Sequence, residues 1–429
     1  MYLPQSGSVY RKVYVPALAA LDNLQSRRDK MSIIYDEKYK TITLHTRNTT
    51  YQMQIDRYGF LLHLYYGKTA EGCMDYLLTY YDRGFSGNPY EAETDRTYSM
   101  DALPQEFPSL GTGDYRTPAC IIKNTDRTYA SDFRYVSHTI KEGKYSLPGL
   151  PAVYADTDEA QTLEVVLADP VTGVQAVLLY GVLPQYDVIT RSVKIVNASK
   201  GHISVKKLAP ACLDLVGGAY DFITFYGRHA MERNCQRMPV GHGVAKIGSL
   251  RGTSSHQYNP AVILAEHDAT EDAGSCYAMT FVYSGGFQSE AGQDQYYQTR
   301  LLMGMSEEQF AYPLNPGEQF QSPEVILSYS SEGLSKLSQN MHRCIRSHLC
   351  RGKYKETVRP ILLNSWEASY FDFTGDSLLA LAQQAADLGI EMFVLDDGWF
   401  GKRDSDMRVA SETSVSAACI SVEVNLAFT

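Results

Sequence analysis

Apolar and polar positions alternate with a period of two from Met31 to about Ser330. Stretches such as "KTITLHTRNTTYQMQI", "QTLEVVLAD", "GVQAVLLYGVL" and "ITRSVKIVNAS" set apolar or β-branched residues against polar ones, with Asn, Asp, Gly and Pro recurring between them. Successive side chains of an extended chain point to opposite faces, so the pattern predicts strands separated by turns. The 32 tyrosines suit such half-buried pleated surfaces. Strands this numerous, without a long helical period among them, predict a large antiparallel sandwich in one continuous domain over residues 31–330. No fixed-period repeat is visible.

At Ser331 the period changes. In "EGLSKLSQNMHRCIRSHL" the residues Leu334, Leu337, Met341, Ile345 and Leu349 recur at spacings of three and four, one face of an amphipathic helix. Residues 331–358 are read as a helical linker between domains. "RPILLNSW" then gives a short apolar run, "GDSLLALAQQAADLGI" a helix with Asp376 as its cap and Gly389 at its end, and "EMFVLDD" a second apolar run. Strand, helix, strand is the pattern of a parallel sheet buried on both faces, and it occupies residues 359–406.

Composition narrows the class. With 44% hydrophobic and 21% charged residues the chain reads as a globular protein with sizeable cores. A net charge of −10 argues against a nucleic-acid partner, which needs clustered Lys and Arg. Neither a leader with an apolar core and small-residue cleavage site nor a membrane-length apolar run is seen, so no membrane association is expected. The cysteines at 73, 120, 212, 235, 276, 344, 350 and 419 form no C-x-x-C pair. Reduced thiols in a cytoplasm, with no structural metal and no cofactor, are the expectation. "GHGVAKIG" (Gly241 to Gly248) departs from the dinucleotide-binding glycine pattern and lies among predicted strands. Arg228, Glu232 and Arg233 in "GRHAMERN" are read as a solvated charge group.

Candidate chemistry sits at the end of the parallel pattern. In such sheets ligands bind beyond the carboxyl ends of the strands. Trp366 ends the first strand, and Asp396 and Asp397 end the second. An indole face packs against the C–H face of a pyranose, and carboxylates accept hydrogen bonds from sugar hydroxyls, so the three form a plausible hexose-binding group. The same residues also fit a simple turn after a strand and tryptophans placed in a core.

The stretch "LNSWEASYFDFTGDSLLALAQQAADLGIEMFVLDDGWFGKRDSD" closely resembles the start of the catalytic barrel of large bacterial and fungal α-galactosidases, glycoside hydrolase family thirty-six. Upstream, "FSGNPYEAETDRTYSMDALPQEFPSLGTGDYRTPA", "GLPAVY", "ITRSVKIVN" and "SLRGTSSHQYNP" carry the resemblance, which spans Met31 to Asp406. It implies a β-supersandwich followed by the first two βα units of a (β/α)8 (TIM) barrel. It further implies hydrolysis of terminal α-linked galactose from raffinose- and melibiose-type sugars with retention of configuration, and it allows a homo-oligomer in the intact enzyme. Under the resemblance, Trp366 lines the galactose pocket, Asp396 and Asp397 hold the sugar's distal hydroxyls, and "HLYYGK" (His63 to Lys68) is either an ordinary strand end or a subunit contact.

A retaining mechanism needs a nucleophile and an acid flanking the scissile bond, about 5 to 5.5 Å apart. Adjacent Asp396 and Asp397 approach a ring from one edge, so they are not that pair, and no catalytic residue is identified in this sequence. From Arg359 onward 71 residues remain, whereas eight strands and helices take about 250. The expectation is an inactive fragment, or, as the alternative class, a non-catalytic carbohydrate-binding or assembly sandwich. Family similarity begins at Met31, predicting that translation starts there rather than with residues 1–30. Beyond Asp406 the tail 407–429 has no barrel pattern, and "DMRVASET" read in a shifted frame encodes Tyr-Ala-Gly-x-Leu-Gly-Asp. The sequence therefore predicts a shift of reading frame close to Asp406.

Overall fold

The structure, a computed structural model, describes residues 32–82, 87–308 and 310–397. The expected extension over residues 1–30 and the tail after Asp406 lie outside them. The chain divides into two units, Met1–Cys350 and Arg351–Thr429.

The first unit is β structure with one long helix. Strands Ile33–Asp36, Thr41–His45, Thr49–Ile55 and Leu61–Lys68 form a sequential antiparallel sheet. A ten-stranded antiparallel sheet runs from Met231–Pro239 at one edge to Arg134–Glu142 at the other. A four-stranded sheet (Ala211–Leu215, Thr299–Met305, Phe287–Gln293, Gly243–Gly248) and a three-stranded one (Tyr312–Leu314, Ile203–Leu208, Cys120–Lys123) complete the unit among the described residues. The antiparallel sandwich is thus present. "GVAKIG" forms a strand paired with Phe287–Gln293, as its position among predicted strands implied.

Period-two alternation decides which core each side chain enters. In Glu324–Ser330 the residues Val325, Leu327 and Tyr329 join the main core with Tyr51, Tyr66 and Met279. Ile326, on the opposite face, packs with Leu337, Met341 and Cys344 of the helix Gly333–His348. A strand covered on both faces is buried throughout, as this one is. The helix therefore belongs with the sandwich, and the 331–358 linker reading covers a packed element. Tyrosines join the first sheet to the large one: Tyr66 lies 5.7 Å from Tyr277 and 5.8 Å from Tyr329, and the Tyr277 hydroxyl donates to the Tyr66 carbonyl at 3.1 Å.

A polar knot sits inside this apolar core. Arg191 and Glu106 have side chains 1% and 0% exposed. Glu106 accepts from the Tyr51 hydroxyl at 2.7 Å, the Tyr180 hydroxyl at 2.7 Å and His63 Nδ1 at 2.7 Å. Arg191 donates to the Cys212 and Glu106 carbonyls at 2.6 and 3.0 Å. Buried charge is tolerable only when so fully partnered.

The second unit, among its described residues, holds the strand Leu362–Asn364, the one-turn helix Trp366–Ser369, the helix Gly375–Asp387 and the strand Met392–Val394. The strands pair in parallel, Leu362 opposite Met392 and Asn364 opposite Val394. Thr374, not Asp376, caps the helix: its hydroxyl accepts from Ser377 N while Ser377 Oγ accepts from Thr374 N. Asp376 falls instead in the first turn, where a carboxylate complements the helix dipole. Gly389, one residue beyond the last turn, takes φ +83°, which only glycine adopts without cost.

Candidate functional site

Parallel pairing brings the two strand ends together, and a side chain fastens them. Asn364 Nδ2 donates to Asp396 Oδ2 at 2.6 Å, while Asn364 Oδ1 accepts from Trp366 N at 2.8 Å. Ser365, 2% exposed, extends the pairing by one residue: its N–H donates to the Val394 carbonyl at 2.9 Å and its hydroxyl accepts from Asp396 N at 3.1 Å. Asp396 Oδ1 in turn accepts from Asp397 N at 2.8 Å. Both Asp396 oxygens are engaged, so this carboxylate is held in one orientation.

Asp397 differs. It is exposed, and among the described residues nothing donates to its carboxylate. Trp366 starts the one-turn helix and stands half-buried, edge-on to Tyr370 at 5.3 Å and to Phe371 at 4.9 Å. Two T-shaped contacts fix the indole plane. The structure thus brings Trp366, Asp396 and Asp397 to the carboxyl ends of one parallel strand pair. Asn364, which ties Trp366 to Asp396, was not singled out from sequence; its signal is a polar residue closing the apolar run "ILLN". The local arrangement offers a carboxylate to which no described residue donates, one oriented carboxylate and an aromatic ring, groups able to accept from hydroxyls and to pack on a C–H face. They do not form two opposed carboxyl groups.

The other singled-out charges lie elsewhere. Arg228, Glu232 and Arg233 sit at a hairpin joining Tyr220–Arg228 to Met231–Pro239. Glu232 Oε1 accepts from Ala230 N at 2.9 Å, and its carboxyl is held below the ordinary value by those backbone hydrogen bonds. His63 begins "HLYYGK" inside the strand Leu61–Lys68 and is bound to buried Glu106. No group of three His, Cys, Asp or Glu that would hold a metal ion occurs among the described residues, and the described cysteines are free thiols. No helix there is long and apolar enough to cross a membrane.

Residues 59–315 match the profile of the glycosyl hydrolase family 36 N-terminal domain, and residues 319–420 that of melibiase. The chain is 63% identical over 376 residues to the bifunctional alpha-galactosidase/sucrose kinase AgaSK of Mediterraneibacter gnavus, covering 88% of this chain and 40% of that protein. It is 42% identical over 376 residues to the alpha-galactosidase Mel36A of Lactobacillus acidophilus, covering 87% of this chain and 51% of that one. Variants of the alpha-galactosidase AgaA of Geobacillus stearothermophilus, solved in complex with raffinose and with stachyose, superpose with a TM-score of 0.83 at 40% identity, over 86% of this chain and 51% of theirs. The chain spans about half the length of these relatives.

Proposed function

The chain belongs to glycoside hydrolase family 36, and from that premise we propose that its second unit is the sugar-recognising beginning of an α-galactosidase barrel, acting on terminal non-reducing α-galactose. The observation that carries this reading is the Asn364–Asp396 clasp at the strand ends, where no described residue donates to the Asp397 carboxylate. A galactose hydroxyl donates to Asp397, a second meets the oriented Asp396, and the ring's C–H face lies on the indole. Each such bond replaces one to water, and its loss leaves a desolvated group unpaired, at about 1 to 3 kcal/mol.

Hydrolysis with retention needs two carboxyl groups on opposite sides of the glycosidic bond, about 5 to 5.5 Å apart. Asp396 and Asp397 are neighbours on one strand end, and Asp396 has both oxygens occupied. The pair supplies recognition and leaves attack and protonation to carboxylates on other barrel strands. Exposed apolar residues of this unit, Ile361, Leu362, Leu379 and Met392 among them, support burial by further strands and helices. The 429-residue polypeptide by itself therefore binds galactosides without turning them over. Release of p-nitrophenol from p-nitrophenyl α-galactoside by the purified chain would overturn the inactivity; absence of saturable galactose binding would overturn the site.

A further inference from the structure

The turn that follows Trp366 carries a residue ill-suited to its shape. Tyr370 has φ +47° and ψ −124°, the first corner of a type II′ turn. Glycine is the ordinary occupant of that corner, because a Cβ crowds the backbone there. The Asp372 N–H donates to the Ser369 carbonyl at 2.9 Å and closes the turn over residues 369–372. Among the described residues of the second unit, no other non-glycine residue has a positive φ. Position 370 thus keeps a side chain at a backbone cost that glycine would avoid.

That side chain is spent on Trp366. The Tyr370 ring stands edge-on to the indole at 5.3 Å and 78°, and the ring of Phe371, the second corner, at 4.9 Å and 88°. The Tyr370 hydroxyl donates to Glu367 Oε2 at 3.1 Å, so the ring is held at its tip as well as at its root. Burial does not account for the arrangement: Tyr370 is 54% and Phe371 56% exposed.

Other bonds fix the Trp366 backbone but leave its ring free to rotate. Asn364 Oδ1 accepts from the Trp366 N–H at 2.8 Å, and the Ser365 carbonyl accepts from Ala368 N and Ser369 N at 3.2 and 3.1 Å. None of these limits the side-chain torsions of the indole. The two rings of the turn do, and an indole already in place loses less freedom when a sugar packs on it.

We propose that Tyr370 is a positioning residue, whose strained corner is retained because its ring sets the indole plane for sugar binding. The proposal rests on the reading of Trp366 as a sugar platform and adds the residue that holds the platform.

Tyr370→Gly and Tyr370→Phe in the full chain test it. Both tryptophans, Trp366 and Trp399, lie in the second unit, so tryptophan fluorescence reports on that unit. Tyr370→Gly relieves the backbone while removing the ring. It is expected to weaken galactose binding in calorimetry at least about fivefold, with a urea midpoint no lower than wild type. Without sugar, its tryptophan anisotropy decay should gain a fast component. Tyr370→Phe keeps the ring and should bind within about twofold of wild type. Wild-type affinity in Tyr370→Gly would overturn the proposal, as would a lost affinity accompanied by a lowered midpoint, the mark of a merely structural role. An unchanged anisotropy decay would mean that Tyr370 meets the sugar itself, and equal losses in both variants would assign the effect to the hydroxyl; either result overturns the clamp. Failure of the strand-end reading is distinct, since the wild-type chain then shows no saturable galactose binding, and the proposal falls with it.

Discussion

Replacing Arg191 by Met tests whether the knot at the centre of the sandwich supports the fold. The methionine fills the stem's volume but removes the guanidinium, so the Glu106 carbonyl loses a 3.0 Å donor and the Cys212 carbonyl a 2.6 Å one. The Glu106 carboxylate, 0% exposed, loses the Arg191 guanidinium 3.5 Å away. Breaking a buried pair by removing one partner costs about 3 to 5 kcal/mol, because the remaining charge stays in low dielectric. Melting should fall by at least about 5 °C, followed by tyrosine circular dichroism, whose signal comes largely from this unit. Adding Glu106→Gln should recover part of the loss, since the orphaned charge goes with it. Burial pushes the Glu106 carboxyl up, yet Arg191 and the His63 and Tyr180 hydrogen bonds outweigh it and hold it below its ordinary 4.5. Its stabilisation is present above that value and is lost as pH falls through the lower folded value, so the variant should begin to unfold in acid at higher pH than wild type. A loss below about 1 kcal/mol at neutral pH, with no change in acid midpoint, would refute the reasoning.

Other outcomes follow from the same geometry. In a whole α-galactosidase carrying this segment, Asp397→Ala should cut kcat/KM at least about tenfold, and Asn364→Ala should do likewise by freeing Asp396; steady-state kinetics decide. Gly113 has φ +91°, and a Cβ there would lie 2.1 Å from the Gly87 carbonyl oxygen, so Gly113→Ala should destabilise by about 1 to 3 kcal/mol in urea titration. Burial raises the Asp214 carboxyl, but Arg300 overrides this and holds it at about 2. Its contribution is therefore present above the ordinary 3.8 and lost as pH falls through about 2, and Arg300→Met should move acid unfolding to higher pH.

What the sequence could show depended on how far each signal is local. Strand alternation is local, and "QTLEVVLAD" and "GVQAVLLYGVL" do form the paired strands Gln161–Ala168 and Val174–Leu183. The helical face of Leu337 and Met341 is local too, but what it packs on is not. Its partners Leu183, Val188 and Ile223 come from distant strands, and for that reason a packed helix read as a linker. Arg191 gave no warning: in "ITRSVKIVN" a charged residue between Thr190 and Ser192 looks like the solvent side of a strand. Only the second layer, supplying Glu106 and Tyr51, turns that side inward. From sequence Asp376 reads as the cap, but Thr374 takes that position through its reciprocal bond with Ser377.

The same distinction explains why the sequence singled out the strand-end group but not the residue that fastens it. Trp366, Asp396 and Asp397 carry chemistry that sugars need, so residue type alone raises them. Asn364 carries no distinctive chemistry; its importance arises from parallel register, which sets it opposite Val394 and within reach of Asp396. A shift of pairing by one residue would turn Asn364 to the other face and release the carboxylate. The position of Asp396 is thus set by the sheet, through a hydrogen bond of 2.6 Å and a buried serine, while no described residue donates to the Asp397 carboxylate. A carboxylate given no such donor beside an oriented one is a poor device for stability and a suitable one for binding hydroxyls. That asymmetry, more than the presence of two aspartates, is what favours a sugar site over a turn.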